Sequence, residues 1–276
     1  MTAALAACGV SHTVDPVAAA ATKTEQAGGA KMTMSIDITD GTTQKTFSIT
    51  ANGVFDQHLG EMTMDMSSVL QSAGLPSGSA SEMKFVYLEE DGDPVMYMNS
   101  PPLASQLPGG KSWIRLDLEK AGKSLGVDFN QVMSQSSQNP AQTLDMLRAS
   151  GQIDKVGPDT VNGVATTEYK GTIDLAKAAE LHGGAAQQLV HRLIAQGAPS
   201  HIPFEVWIGD DGLVRQMRTT EDIQTGGKSL SAVVTIDMSD FGTDVSVSAP
   251  PAGEVFDATG LAAAMAAQSQ TTTTNG

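Results

Sequence analysis

The amino-acid sequence predicts an α+β protein in which one large antiparallel sheet of about ten to eleven strands is interrupted twice by helices. Three observations predict it. The run Met32-Thr33-Met34-Ser35-Ile36-Asp37-Ile38 alternates apolar and polar residues with a period of two, and the pattern recurs along the chain, as in half-buried strands. Turn signals such as Asp40-Gly41, Asn162-Gly163 and Asp210-Asp211-Gly212 separate the runs. Within the run of strands, the period lengthens to that of a helix between 118 and 150 and between 174 and 197.

Taken in order, Asp15-Pro16 opens an alanine-rich stretch that ends at Gly28-Gly29 and reads as a helix with Asp as its cap and Pro in its first turn. Three strands follow, built on Met32 to Ile38, on Phe47, Ile49 and Ala51, and on Met62, Met64 and Met66, and they share one apolar face. Residues 68–82 read as a loop. Met83 to Leu88 and Val95 to Met98 flank the acidic run Glu89 to Pro94; it lacks the carboxylate spacing of a calcium loop and reads as a hairpin turn. Trp113 to Asp117 is the next strand. The helical block that follows has its clearest piece from Asn139-Pro140 to Gly151, with Ala141, Leu144 and Leu147 on one face. Ile153 to Val156 and Val164 to Ile173 are strands, with Gly157-Pro158-Asp159 and Asn162-Gly163 as turns between them. Asp174 caps a short helix, and a second runs from about Ala185 to Gly197 with Leu189, Leu193 and Ile194 on its apolar side. The last third returns to strands at Phe204 to Ile208, Leu213 to Thr220 and Leu230 to Met238, with one more expected at Val245 and Val247.

Neither helical block is long enough to build its own core, so residues 31–252 are expected to form a single domain, preceded by a tether and helix over 9–30 and followed by a flexible polar tail over 253–276. Charge narrows the function. The formal net charge is -15, with 16 Lys and Arg against 31 Asp and Glu, which disfavours a nucleic-acid partner and adhesion to an anionic membrane. Membrane contact must then be apolar or covalent.

The single cysteine excludes a disulfide framework within the chain and multi-cysteine metal sites. Leu5-Ala6-Ala7-Cys8 has the branched residue, two small residues and cysteine of a lipoprotein processing site. Residues 1–8 therefore read as the remnant of a signal peptide, with Cys8 as the lipidation site. The basic and most of the apolar part of such a signal are missing, so the true start is expected upstream or the segment is trimmed. A free cysteine in an alanine-rich tail is the alternative. His12, His58, His182, His191 and His201 show no metal-binding spacing, and there is no serine-nucleophile elbow, dinucleotide loop or phosphate loop. No catalytic residue, metal or cofactor is expected, and the reading is non-enzymatic. A large sheet face built from small and flexible residues leaves room for a cavity under the helices. The 14 methionines either adapt that face to a ligand of variable shape or fill gaps in the core.

Several strings resemble the LppX/LprA/LprF/LprG group of actinobacterial lipoproteins, which share the LolA-like fold. They are Leu5-Ala6-Ala7-Cys8, Trp113 to Asp117, Val161-Asn162-Gly163-Val164 with Tyr169 to Asp174, Pro203 to Arg215, and Asp240-Phe241-Gly242 with Ala249-Pro250-Pro251. The resemblance implies an incomplete antiparallel β-barrel wrapped over inserted helices, enclosing a cavity for an acylated lipid or glycolipid. It implies an extracytoplasmic, monomeric protein, acylated with palmitate at Cys8, held to the cell membrane, and working beside an envelope transporter. Alternating faces select Met34, Ile36, Met62, Met64, Leu144, Leu147, Leu189 and Leu193 as candidate cavity residues. The task is transport or retention of lipid; the alternative is an envelope sensor or scaffold that binds another protein and carries no lipid.

Overall fold

In the computed structural model, residues 16–260 are described, apart from 57, 73, 75–80, 105–106, 125–152, 183, 196–198 and 226–227. The strands are β1 (Ala30–Asp40), β2 (Thr46–Phe55), β3 (Gly60–Asp65), β4 (Glu82–Glu90), β5 (Asp93–Asn99), β6 (Trp113–Asp117), β7 (Asp154–Val161), β8 (Val164–Asp174), β9 (His201–Gly209), β10 (Val214–Thr225), β11 (Lys228–Ser239) and β12 (Val255–Asp257). They form one open sheet in the order β12-β6-β5-β4-β3-β2-β1-β11-β10-β9-β8-β7. Every pairing is antiparallel except that of β12 with β6. The sheet is wider than the ten to eleven strands expected, and it does not close.

The helices among the described residues are short. They are α1 (Pro16–Gln26), α2 (Ser67–Ser72), α3 (Pro101–Ala104), α4 (Leu118–Ser124), α5 (Leu175–His182) and α6 (Gly184–Ala195). Pro16 starts α1, and Gly28 beyond its end has φ 85°, the left-handed conformation that glycine tolerates after a helix. Asp174 accepts the Lys177 N–H at 3.1 Å and so caps α5. The stretch 68–82, read as a loop, instead begins with α2.

Two cores lie on opposite faces of the sheet. In the first, Val17 and Ala20 of α1 pack on Phe204, Val206, Ile208 and Val214, flanked by Ile153, Tyr169 and Ile173. In the second, Val86, Leu88, Val95 and Tyr97 pack with Leu59, Trp113, Val247 and Val255. Following the register from β9 through β10, β11, β1, β2 and β3 to β4 places Phe204 and Val206 on the face of Phe85, opposite to Val86. Val247 therefore belongs to a cover on the second face, not to the additional strand expected at Val245 and Val247.

The segment read as the start of a polar tail also behaves differently. Residues 252–254 form a 3₁₀ turn and 255–257 form β12, bound to β6 by charge. Arg115 donates to Glu90 at 2.8 Å and to Asp257 at 3.0 Å, Tyr97 donates to Glu90, and the Asp117 N–H reaches the Thr259 hydroxyl at 3.0 Å. Burial pushes the Glu90 carboxyl up, but the hydrogen bonds from Tyr97 and Arg115 outweigh it and hold it below the usual carboxylate range. Asp257 is balanced the same way, burial being outweighed by hydrogen bonds from Thr259 and by the Arg115 charge. Because both folded-state values are depressed, the stabilisation is complete above the unfolded carboxylate range and is lost as pH falls through the folded values. Arg115→Met is expected to lower stability at neutral pH by about 2–3 kcal/mol, raise amide exchange at 255–257, and flatten the acid side of the stability profile. Unchanged exchange would mean that the parallel ladder alone holds β12.

Candidate functional site

The face shared by the first three strands extends across the sheet. Residues directly opposite on neighbouring strands project to the same side. Met34 lies between Ala51 and Ile236, and Ala51 is paired in turn with Met64. Ile36 lies between Ile49 and Val234. Met62 faces Phe85, whose other neighbour is Met98, and Met64 faces Met83. Met32 pairs with Met238, Met217 with Ile236, and Met96 with Tyr87. Every methionine in a described strand thus falls on one side of the sheet, and each is half-buried.

The opposite side of the central strands is polar. Thr33 bonds Asn52 at 3.1 Å and Ser48 donates to Asp37 at 2.5 Å. Further along, Lys170 bridges Glu168 and Glu205 at 3.1 and 2.8 Å, Arg218 reaches Glu205 at 3.1 Å and stacks over Trp207, and the Trp207 N–H donates to Asp159 at 2.8 Å. This side satisfies itself with its own ion pairs. The methionine side has no comparable polar network among the described residues, so its chemistry is contact with hydrocarbon.

Of the residues chosen from the sequence, Met34, Ile36, Met62 and Met64 are brought together on this face. Leu189 and Leu193 lie within α6, which packs on α5, itself in contact with β8. Leu144, Leu147 and Cys8 lie outside the described residues. Sequence reasoning passed over Phe85, Tyr87, Met96, Met98, Met217 and Ile236 as site residues; alternation carried the signal for Ile236, whereas Phe85, Tyr87, Met96 and Met98 lie in uninterrupted apolar runs that do not tell one face from the other.

Two other features fall short of a site. Ser200 Oγ lies 2.9 Å from His201 Nδ1, while His201 Nε2 is 3.7 Å from Asp174. The residue types are those of a nucleophile, base and orienting group, but the imidazole is 62% exposed, the last distance exceeds a hydrogen bond, and Asp174 is committed to capping α5. An open cleft of 480 Å³ at the end of α1 is lined by polar groups including Glu25, Asp56, His58 and Asp244. Among the described residues no group of three His, Cys, Asp or Glu side chains is placed to hold a metal, and no helix is long and apolar enough to cross a membrane.

Fold and face together define a protein with one broad antiparallel sheet that carries a methionine-rich, largely apolar surface on one side and, on the other, polar central strands beside a second apolar core. No family model matches the chain. It is 30% identical over 167 residues to an uncharacterized 31.2 kDa protein from the rplA-rplJ intergenic region of Streptomyces griseus, covering 58% of this chain and 53% of that one. It is 27% identical over 152 residues to a Streptomyces coelicolor protein described as a lipoprotein, covering 54% of this chain and 43% of the relative. The chain thus spans about half the length of the curated relatives it matches. Among solved structures it is similar to LprF from Mycobacterium bovis, at 15% identity and a TM-score of 0.42, covering 85% of this chain and 95% of that one. It is also similar to the Mycobacterium tuberculosis lipoprotein LppX, at 14% identity and a TM-score of 0.36, covering 84% and 98%.

Proposed function

We propose that this protein is a non-enzymatic envelope lipoprotein that takes up the hydrocarbon of an acylated lipid or glycolipid on its methionine-rich face, for transport or retention. The observation that carries the reading is the methionine-rich apolar side of the sheet, where Met34, Ile36, Met62 and Met64 are gathered and remain half-buried. Each methylene moved from water onto such a surface contributes about 0.8 kcal/mol, so a modest length of acyl chain suffices for stable binding. Thioether side chains follow the shape of the ligand rather than impose one. In this reading the open sheet curves into an incomplete barrel over the inserted helices, which form the other wall.

Cys8 carries the lipid anchor and holds the domain outside the cytoplasm, a role supported by the Streptomyces coelicolor relative described as a lipoprotein. The protein acts as a monomer, with an envelope transporter as its partner. The test is native mass spectrometry with solvent extraction on protein from an actinobacterial host, made with Cys8 substituted so that the anchor is not mistaken for cargo. Stoichiometric co-purified lipid is expected. A clean unliganded mass, with no uptake of added diacyl lipid, would point instead to a sensor or scaffold that binds another protein.

A further inference from the structure

We infer that the methionine face is an oxidant-sensitive switch: peroxide converts its thioethers to sulfoxides and so releases the lipid. The inference rests on the proposed lipid-binding function and concerns the control of the same surface.

Its basis is the distribution of residue types between the two sides. The buried cluster on the opposite side is built from Val86, Leu88, Val95 and Tyr97, without a methionine. On the methionine side itself, the part sealed under α1 is likewise built from Val, Ala, Phe and Ile, with Met217 paired to its Val206. Where the sheet needs only to be packed, branched and aromatic residues serve; the strand methionines all lie on the proposed lipid side. They are also neither sealed in a core nor fully exposed. A thioether at such a site is open to a small oxidant when the face is empty and is in contact with hydrocarbon when it is filled.

The chemistry follows from the thioether. The sulfur attacks one oxygen of hydrogen peroxide, the O–O bond breaks, an S–O bond forms, and the second oxygen leaves as water. Sulfur loses two electrons and the peroxide gains them. The product is a polar sulfoxide in place of a flexible apolar group, and a polar group set against hydrocarbon without a partner opposes binding. Met64 and Met83 are directly paired, and Met62 is paired with Phe85, so a few oxidised positions suffice to break the continuity of the surface. The remaining strand methionines surround this patch. No methionine in a described strand lies on the polar side, so oxidation leaves its ion pairs in place and the fold is expected to be retained.

The experiment treats the unliganded full chain with hydrogen peroxide, removes the oxidant, maps sulfoxides by peptide mass spectrometry, and titrates both forms with a fluorophore-labelled hexadecanoic acid. Circular dichroism follows the fold. The expected result is sulfoxide at Met62, Met64 and Met83, a Kd raised tenfold or more, an unchanged spectrum, and protection of those methionines when lipid is bound first. In a variant with Met62, Met64 and Met83 replaced by Leu, the ratio of treated to untreated Kd is expected to fall toward one. Lipid binding that survives oxidation of these positions overturns the switch while leaving the lipid-binding function standing. Loss of fold on oxidation overturns it as well, because release would then follow from unfolding. Untreated protein that takes up no lipid overturns both.

Discussion

Phe204→Ala is expected to destabilise the protein by about 3–5 kcal/mol and to loosen α1 from the sheet. Phe204 is 5% exposed and belongs to the cluster in which Val17 and Ala20 of α1 meet β9 and β10. Its ring also lies over a glycine: a Cβ added to Gly171, its cross-strand partner, would sit 2.6 Å from the ring. Removing the ring therefore leaves a void with backbone on one side and a helix on the other, and neither closes it without moving. Polar links between α1 and the sheet that stand in reserve include the Lys23 ammonium on the Asp211 carbonyl and the Val214 N–H on the Thr24 hydroxyl. A stability of about 5–15 kcal/mol is usual for a domain, so the loss is a large fraction. Urea unfolding measures it, and amide exchange across 17–26 reports the helix. A loss below about 1 kcal/mol with α1 still protected would show that the polar links are sufficient.

The same contrast between faces explains what was legible in the sequence. Met32 to Ile38, Phe47 to Ala51 and Met62 to Met64 were readable because a strand covered on one side alternates, and the register follows once the alternation is aligned. Asp91-Gly92 and Asn162-Gly163 were readable as turns because both residues of each pair take positive φ, as tight hairpins require. Gly157-Pro158-Asp159 was misread as a turn. Gly157 has φ 152° at an irregularity in the β7–β8 pairing, and Pro158 sits on the edge strand, where its missing N–H leaves no unfilled place in the ladder. β12 is three residues long, too short for any period, and is recognisable only through Arg115 and Asp257. The second core was visible in principle: Phe85-Val86-Tyr87-Leu88 is apolar without interruption, the pattern of a strand covered on both sides. The candidate site was legible for the same reason as the first three strands, and only as far as their alternation was followed.

The other large effect concerns that face. Met34→Gln together with Met64→Gln is expected to weaken lipid binding by about thirtyfold or more while leaving the fold in place. Glutamine keeps the length and much of the volume of methionine but ends in an amide, and each amide covered by hydrocarbon without a partner costs about 1–3 kcal/mol, with tenfold in affinity for every 1.4 kcal/mol or so. The two positions flank Ala51, which is 1% exposed, so the paired change sets polar groups on either side of a sealed point of the surface. Thr220→Gln provides the comparison. Thr220 is exposed and next in sequence to Thr219, which the register aligns with Phe204 and Val234 of the apolar side, so Thr220 projects to the polar side. A ligand held on the methionine face distinguishes the variants sharply, whereas equal titration curves for labelled fatty acid in both would place the hydrocarbon elsewhere. Circular dichroism and thermal unfolding on each variant separate loss of the surface from loss of the sheet.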